Sequence, residues 1–197
     1  MRAALIALLC LLALPAHPAE LAGPDLLAAL RQGGMVLVMR HALSPREAPA
    51  TPSADNVAGE RELDENGKRT ATAMGEALRA LRIPVGPVRS SPTYRARQTA
   101  QALGFAHPAL EELLGDGGQG MAADSEGRRS AFLRDQVRMA PAAGSNTLLI
   151  THFPNLQGAF GEAAANVADG ETLVFRPGSA APVGRIKIGQ WTHLEHQ

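Results

Sequence analysis

The order of elements predicts an α/β fold in which a mostly parallel sheet is covered by helices on both faces. Three observations carry that expectation. The apolar runs MVLVMR (35–40) and NTLLIT (146–151) are too short for core helices and lack polar alternation, which is the pattern of strands buried on both sides. Segments with helical spacing separate these runs, as in a chain of β-α units. The strand-like PVRSS (87–91) also passes directly into PTYRARQTAQAL (92–103), so a helix starts where a strand ends.

The elements follow in order. PDLLAALRQGG (24–34) reads as a short helix with Pro24 in its first turn and Gly33-Gly34 at its close. After the first strand, residues 42–59 are rich in Pro, Ala and Ser and have no period, which makes a loop long enough to suggest a role in function. Ala71, Met74, Leu78 and Leu81 recur at spacings of three and four and predict a helix over 64–81, ended ahead of Pro84. Ser91 as N-cap and Pro92 at the first helical position open the next helix, which Gly104 closes. A Gly-rich loop over 115–120 precedes a helix over 125–139, the strand at 146–151, and two short strands from ETLVF and VGRIKI.

Composition narrows the function. The 197 residues suit one domain with a full core. Lys+Arg and Asp+Glu both number 19, so no net charge draws the chain to nucleic acid or an anionic membrane. One Trp, one Tyr and five Phe offer no stacking platform for bases. The first 19 residues combine Arg2, an apolar run over 3–14, and small residues with prolines near Ala16 and Ala19. They read as a cleaved secretory signal peptide, since the run is shorter than the roughly 20 residues a spanning helix needs. The expectation is a periplasmic or secreted domain over 20–197 with no stable membrane insertion. Cys10, the only cysteine, leaves with the signal, so neither disulfides nor thiol catalysis is expected.

The parallel-sheet reading gathers reactive groups beyond the carboxyl ends of the strands. Arg40-His41 closes the first strand, Ser90-Ser91 with Arg95 follows the second, and His152 follows NTLLIT. Two guanidiniums present paired N–H donors to the oxygens of a tetrahedral dianion. Arg95 also sits in the first turn of a helix, whose free N–H groups favour an anion. Imidazole is a competent nucleophile near neutral pH, and flanking positive charge is expected to keep His41 unprotonated. A nearby carboxylic acid would protonate the leaving alkoxide and then activate water. No His/Cys/Asp/Glu spacing matches a metal site, so neither metal nor cofactor is expected.

These residues carry a family resemblance. VLVMRHALS (36–44) resembles the Arg-His motif of the histidine phosphatase superfamily, which also holds phosphoglycerate mutase-like enzymes. SSPTYRARQTAQAL (90–103) is similar to its Ser-Pro…Arg…Thr-Ala motif, LDENGKRTATAMG (63–75) to its Leu-Thr-x-x-Gly helix start, and LLITH (148–152) to the strand carrying its second His. The resemblance implies a three-layer α/β/α sandwich with His41 as nucleophile and Arg40, Arg95 and His152 on the phosphate, with Ser91 beside them. Ala42 stands where Gly is commoner, as in the branch of bacterial phosphohistidine phosphatases and lipopolysaccharide core heptose phosphate phosphatases. Asp64 replaces the usual Thr, and either residue can cap. For the acid, Leu110-Glu111-Glu112 fits the Leu-x-Glu pattern, whereas Leu114-Gly115-Asp116 looks more like the heptose phosphate branch. Asp116 is favoured over Glu112, with Glu171 a more distant candidate.

The reaction expected is hydrolysis of a small phosphate ester or an envelope sugar phosphate through a phosphohistidine. The competing readings are a phosphoglycerate mutase-type phosphotransferase and a non-catalytic phosphate-ligand binding protein. Residues 115–120 match G-x-G-x-x-G literally but lack a strong strand before and a helix directly after, so they read as a loop lining the pocket. Arg46 and Arg61, near the long loop, are candidates for substrate contact. Arg97, Arg128 and Arg129 read as solvated helix charges, and His107, His193 and His196 as surface residues.

Overall fold

Apolar residues alternate between two cores, and that alternation fixes the layers. The computed structural model describes residues 20–117 and 127–196; the predicted signal at 1–19 and residues 118–126, within and after the Gly-rich loop, lie outside them. Strands β1 (Val36–Arg40), β2 (Val85–Ser90), β3 (Ala109–Leu110) and β4 (Asn146–Thr151) run parallel. Strands β5 (Thr172–Phe175) and β6 (Gly184–Ile186) add an antiparallel edge, giving the order β3-β2-β4-β1-β5-β6. Leu37, Met39, Leu148, Ile150 and Val174 enter one core, while Val36, Val38, Leu149, Leu173 and Phe175 enter the other. The central strands are thus buried on both faces, as their unbroken apolar runs predict.

Helices α1 (Gly23–Gln32), α2 (Glu65–Ala80) and α3 (Tyr94–Ala102) feed the first core, joined by Trp191 of a C-terminal 3-10 segment. Helices α4 (Arg128–Gln136) and α5 (Phe153–Phe160) cover the second. This is the three-layer α/β/α sandwich. Asp64 caps α2 by accepting from the Gly67 amide at 2.6 Å. Gly67 lies so close to the Leu43 carbonyl that a Cβ there would collide with it, so the start of α2 is pressed onto the chain just after His41. Among the described residues no helix is long and apolar enough to cross a membrane.

The start of α3 departs from expectation. Ser91 is not the cap of α3; Thr93 occupies that position, and the Tyr94 amide donates to the Glu60 carboxylate at 3.0 Å. The Ser91 hydroxyl, ahead of the helix, accepts from the Thr93 amide at 3.2 Å and meets His152 Nε2.

Candidate active site

Because β1, β2 and β4 are parallel, the residues that follow them emerge at one edge. His41 is only 4 % exposed and is held by its own backbone: its amide donates to Thr151 O at 3.0 Å, and its carbonyl accepts from Gly170 at 2.9 Å. Its ring Nδ1 lies 2.8 Å from the Ala42 carbonyl. A carbonyl only accepts, so Nδ1 carries the proton and Nε2 keeps its lone pair. The Arg95 Nε–H donates to that Nε2 at 3.3 Å.

His152 takes the opposite tautomer. Its Nδ1 is 3.2 Å from Arg95 Nη2, which can only donate, so Nε2 bears the proton and donates to the Ser91 hydroxyl at 2.9 Å. The Thr93 hydroxyl lies 3.3 Å from the same nitrogen. The two imidazoles meet edge to face with centroids 5.1 Å apart, both against one guanidinium. Arg95 also forms an ion pair with Asp116, whose Oδ2 is 3.6 Å from His152 Nδ1.

Both imidazoles are neutral. Burial is the main reason that the His41 pKa falls to about 3, with the charges of Arg95, Arg40 and Arg61 adding to it against the Ala42 hydrogen bond. Burial likewise holds His152 well below the usual histidine range, reinforced by Arg95 and the neighbouring cations. Flanking charge, the cause expected from sequence, is therefore the smaller one.

Two further arginines surround the pair. Arg40 donates from Nη1 to Val167 O and from Nη2 to Asp169, each at 2.8 Å, with its guanidinium carbon 5.6 Å from the centre of the Phe153 ring. Burial raises the Asp169 carboxyl and Arg40 pulls against that rise. Arg61 is fixed by the carbonyls of Pro45 (2.6 Å) and Ser44 (2.8 Å), and its charge acts on both imidazoles. The loop over 42–59 is itself ordered, because Glu62 accepts from the amide and hydroxyl of Ser53 and from Asn56.

The structure thus brings together Arg40, His41, Ser91, Arg95, Asp116 and His152. Glu112 does not join them: it is exposed on a short 3-10 turn (Glu112–Leu114), with no hydrogen bond or ion pair to the site among the described residues. Glu171 is buried with one carboxylate oxygen on Arg185 and the other on the Ala168 amide, a structural engagement that leaves it no part as an acid. Arg129 is buried and Arg97 stacks on the Tyr94 ring at 5.2 Å, so neither is the solvated charge expected; Arg46, His107 and His193 are exposed.

Two residues of the site were beyond sequence reasoning. Asn155 donates from Nδ2 to the carbonyls of Gly115 (2.5 Å) and Leu114 (3.2 Å), which anchors the segment that delivers Asp116. Asp169 sits before β5, a short antiparallel strand that carries no motif. Among the described residues no cluster of His, Cys, Asp and Glu could hold a metal ion.

Known proteins are similar to this chain in family pattern and in fold. The model of the histidine phosphatase superfamily (branch 1) matches residues 36–152, from the first strand through the second site histidine. A Nakamurella multipartitia structure named for SixA phosphohistidine phosphatase superposes with a TM-score of 0.51 at 22 % identity, covering 82 % of this chain and 89 % of that one. The protein histidine phosphatase SixA complexed with tungstate gives a TM-score of 0.49 at 21 % identity over 71 % and 86 % of the two chains. TTHB049 of Thermus thermophilus gives 0.48 at 21 % identity over 78 % and 99 %. No curated protein matches the chain in sequence. With the family model spanning more than half of its length and both motif histidines in one pocket, the chain belongs to the histidine phosphatase superfamily, branch 1.

Proposed function

We propose that this protein is a phosphomonoesterase in which His41 Nε2 is the nucleophile. The observation that carries the reading is the His41 ring itself: its Nδ1 proton is committed to Ala42 O, and its Nε2 lone pair meets the Arg95 guanidinium. A phosphoryl oxygen drawn to Arg95 would bring phosphorus within reach of that lone pair. Phosphoryl transfer needs positioning and charge stabilisation more than covalent chemistry, and Arg40, Arg61 and Arg95 supply the positive charge without a metal.

In the first step, the Nε2–P bond forms as the P–O bond to the leaving group breaks, and the departing alkoxide takes a proton from the Asp116 carboxyl, which takes that proton up from solvent when the substrate oxygens replace it on Arg95. In the second, Asp116 accepts a proton from water, the new P–O bond forms, and the N–P bond breaks to release inorganic phosphate. His152 donates through neither step; its neutral ring, oriented by Ser91, lines the phosphate site. The substrate is a small phosphate ester or an envelope sugar phosphate, met outside the cytoplasm if residues 1–19 direct export.

A radiolabelled phosphate ester tests the mechanism. Quenched wild-type protein should hold acid-labile, alkali-stable label, and His41→Ala should lose both the label and turnover of p-nitrophenyl phosphate. Tungstate binding without turnover would favour the binding-protein reading, and isomerised 3-phosphoglycerate the mutase reading. The mass of the exported protein tests cleavage near residue 19.

A further inference from the structure

We infer that Asp169 is a positioning residue, which clamps Arg40 in the orientation used on the phosphoryl group. This role rests on the reading that Arg40 serves a bound phosphate.

Arg40 ends β1 and its side chain has freedom that the backbone cannot restrain. Two fixed acceptors remove it: Val167 O takes Nη1 and Asp169 Oδ1 takes Nη2, both at 2.8 Å. The Arg40 and Asp169 side chains are 26 % and 27 % exposed, so the pair sits at the pocket wall rather than in free solvent. An isolated pair of that exposure contributes little to stability, and its value lies in orientation.

The clamp is rigid because its loop is anchored from the far edge of the sheet. Arg185 on β6 donates to Glu171 Oε1 at 2.9 Å and to Ala165 O at 3.3 Å. Glu171 Oε2 accepts from the Ala168 amide at 2.8 Å, which closes a turn with Asp169 at its tip. The same loop holds the catalytic dipeptide by its backbone, through Arg40 N to Glu171 O at 3.1 Å and Gly170 N to His41 O at 2.9 Å. The antiparallel edge thus grips the Arg40 backbone, its guanidinium and the His41 carbonyl together. Asp169 adds negative charge beside a site for anions, a cost to ground-state binding that makes sense if it secures geometry for the transition state.

A double-mutant cycle separates this role from a structural one. Asp169→Ala should lower kcat on p-nitrophenyl phosphate about tenfold or more, with KM changed far less, as misplacement of a charge-stabilising group predicts. In an Arg40→Ala background the same substitution should cost less than about twofold, because its target is gone. Equal losses in both backgrounds, or wild-type kcat in Asp169→Ala, would overturn the inference. Should Asp169→Ala fail to fold, the isosteric Asp169→Asn runs the same cycle. Tungstate affinity measured calorimetrically across the four proteins reads the coupling without turnover, and additivity there would equally overturn it. A wild-type chain that binds tungstate with coupling between residues 40 and 169 but hydrolyses nothing would sink only the phosphatase reading; one that binds no tungstate would sink both.

Discussion

Arg95→Lys tests the electrostatic design of the pocket most directly. Arg95 is 4 % exposed and spreads three contacts over two nitrogens: Nε to His41, and Nη2 to both His152 and Asp116. Lysine keeps the charge but concentrates its donors on one atom, which cannot stand at both positions. One of the two positions is left without its directed contact to a substrate oxygen, a loss of roughly 1.5–3 kcal/mol when one partner is charged. That corresponds to a fall of about 10- to 10²-fold in kcat/KM. The assay is steady-state hydrolysis of p-nitrophenyl phosphate, with a thermal melt to show that the variant is folded. A loss smaller than about tenfold in a folded variant would show that charge alone suffices, and the argument from paired donors would fail.

Three other outcomes follow from the same contacts. His41 and His152 are neutral when folded but ionise near pH 6.5 when unfolded, so stability is fully present above that pH and declines below it, for His41 down to about 3, by up to about 1.4 kcal/mol per pH unit per histidine; urea unfolding at pH 5, 6 and 7 should show this slope, and His41→Gln should flatten it. Asn155→Ala leaves Leu114 O with the Thr151 hydroxyl at 2.8 Å but removes the Asn155 donor to Gly115 O, so a stability loss of about 1–3 kcal/mol and a lower kcat are expected, and unchanged kcat would free Asp116 from dependence on that anchor. Asp116→Asn should impair hydrolysis of glycerol phosphate much more than that of p-nitrophenyl phosphate, whose leaving group needs little proton assistance; equal losses would remove Asp116 as the acid.

What could be read from sequence, and what could not, divides along a physical line. His41, Ser91 and His152 each follow a strand whose apolar run is visible in isolation, and parallel strands deliver their carboxyl ends to one edge; the site's outline is therefore a consequence of local pattern plus topology. The Asp64 cap was legible for the same reason, since it acts within its own helix start. The Ser91 cap failed because α3 begins only at Tyr94, which leaves the Ser91 hydroxyl ahead of the helix, accepting from the Thr93 amide and from His152, 61 residues away. Asp169 is reached from Arg40 only through the antiparallel pairing of β1 with β5, and a four-residue strand gives no sign of its direction. Glu171 illustrates the same limit from the other side: a carboxylate two residues from Asp169 could serve as an acid until the fold shows Arg185 and the Ala168 amide holding both its oxygens. Groups that perform chemistry at strand ends are announced by their own segment, whereas groups that hold them in place are chosen by whatever the fold packs alongside, and only coordinates identify those.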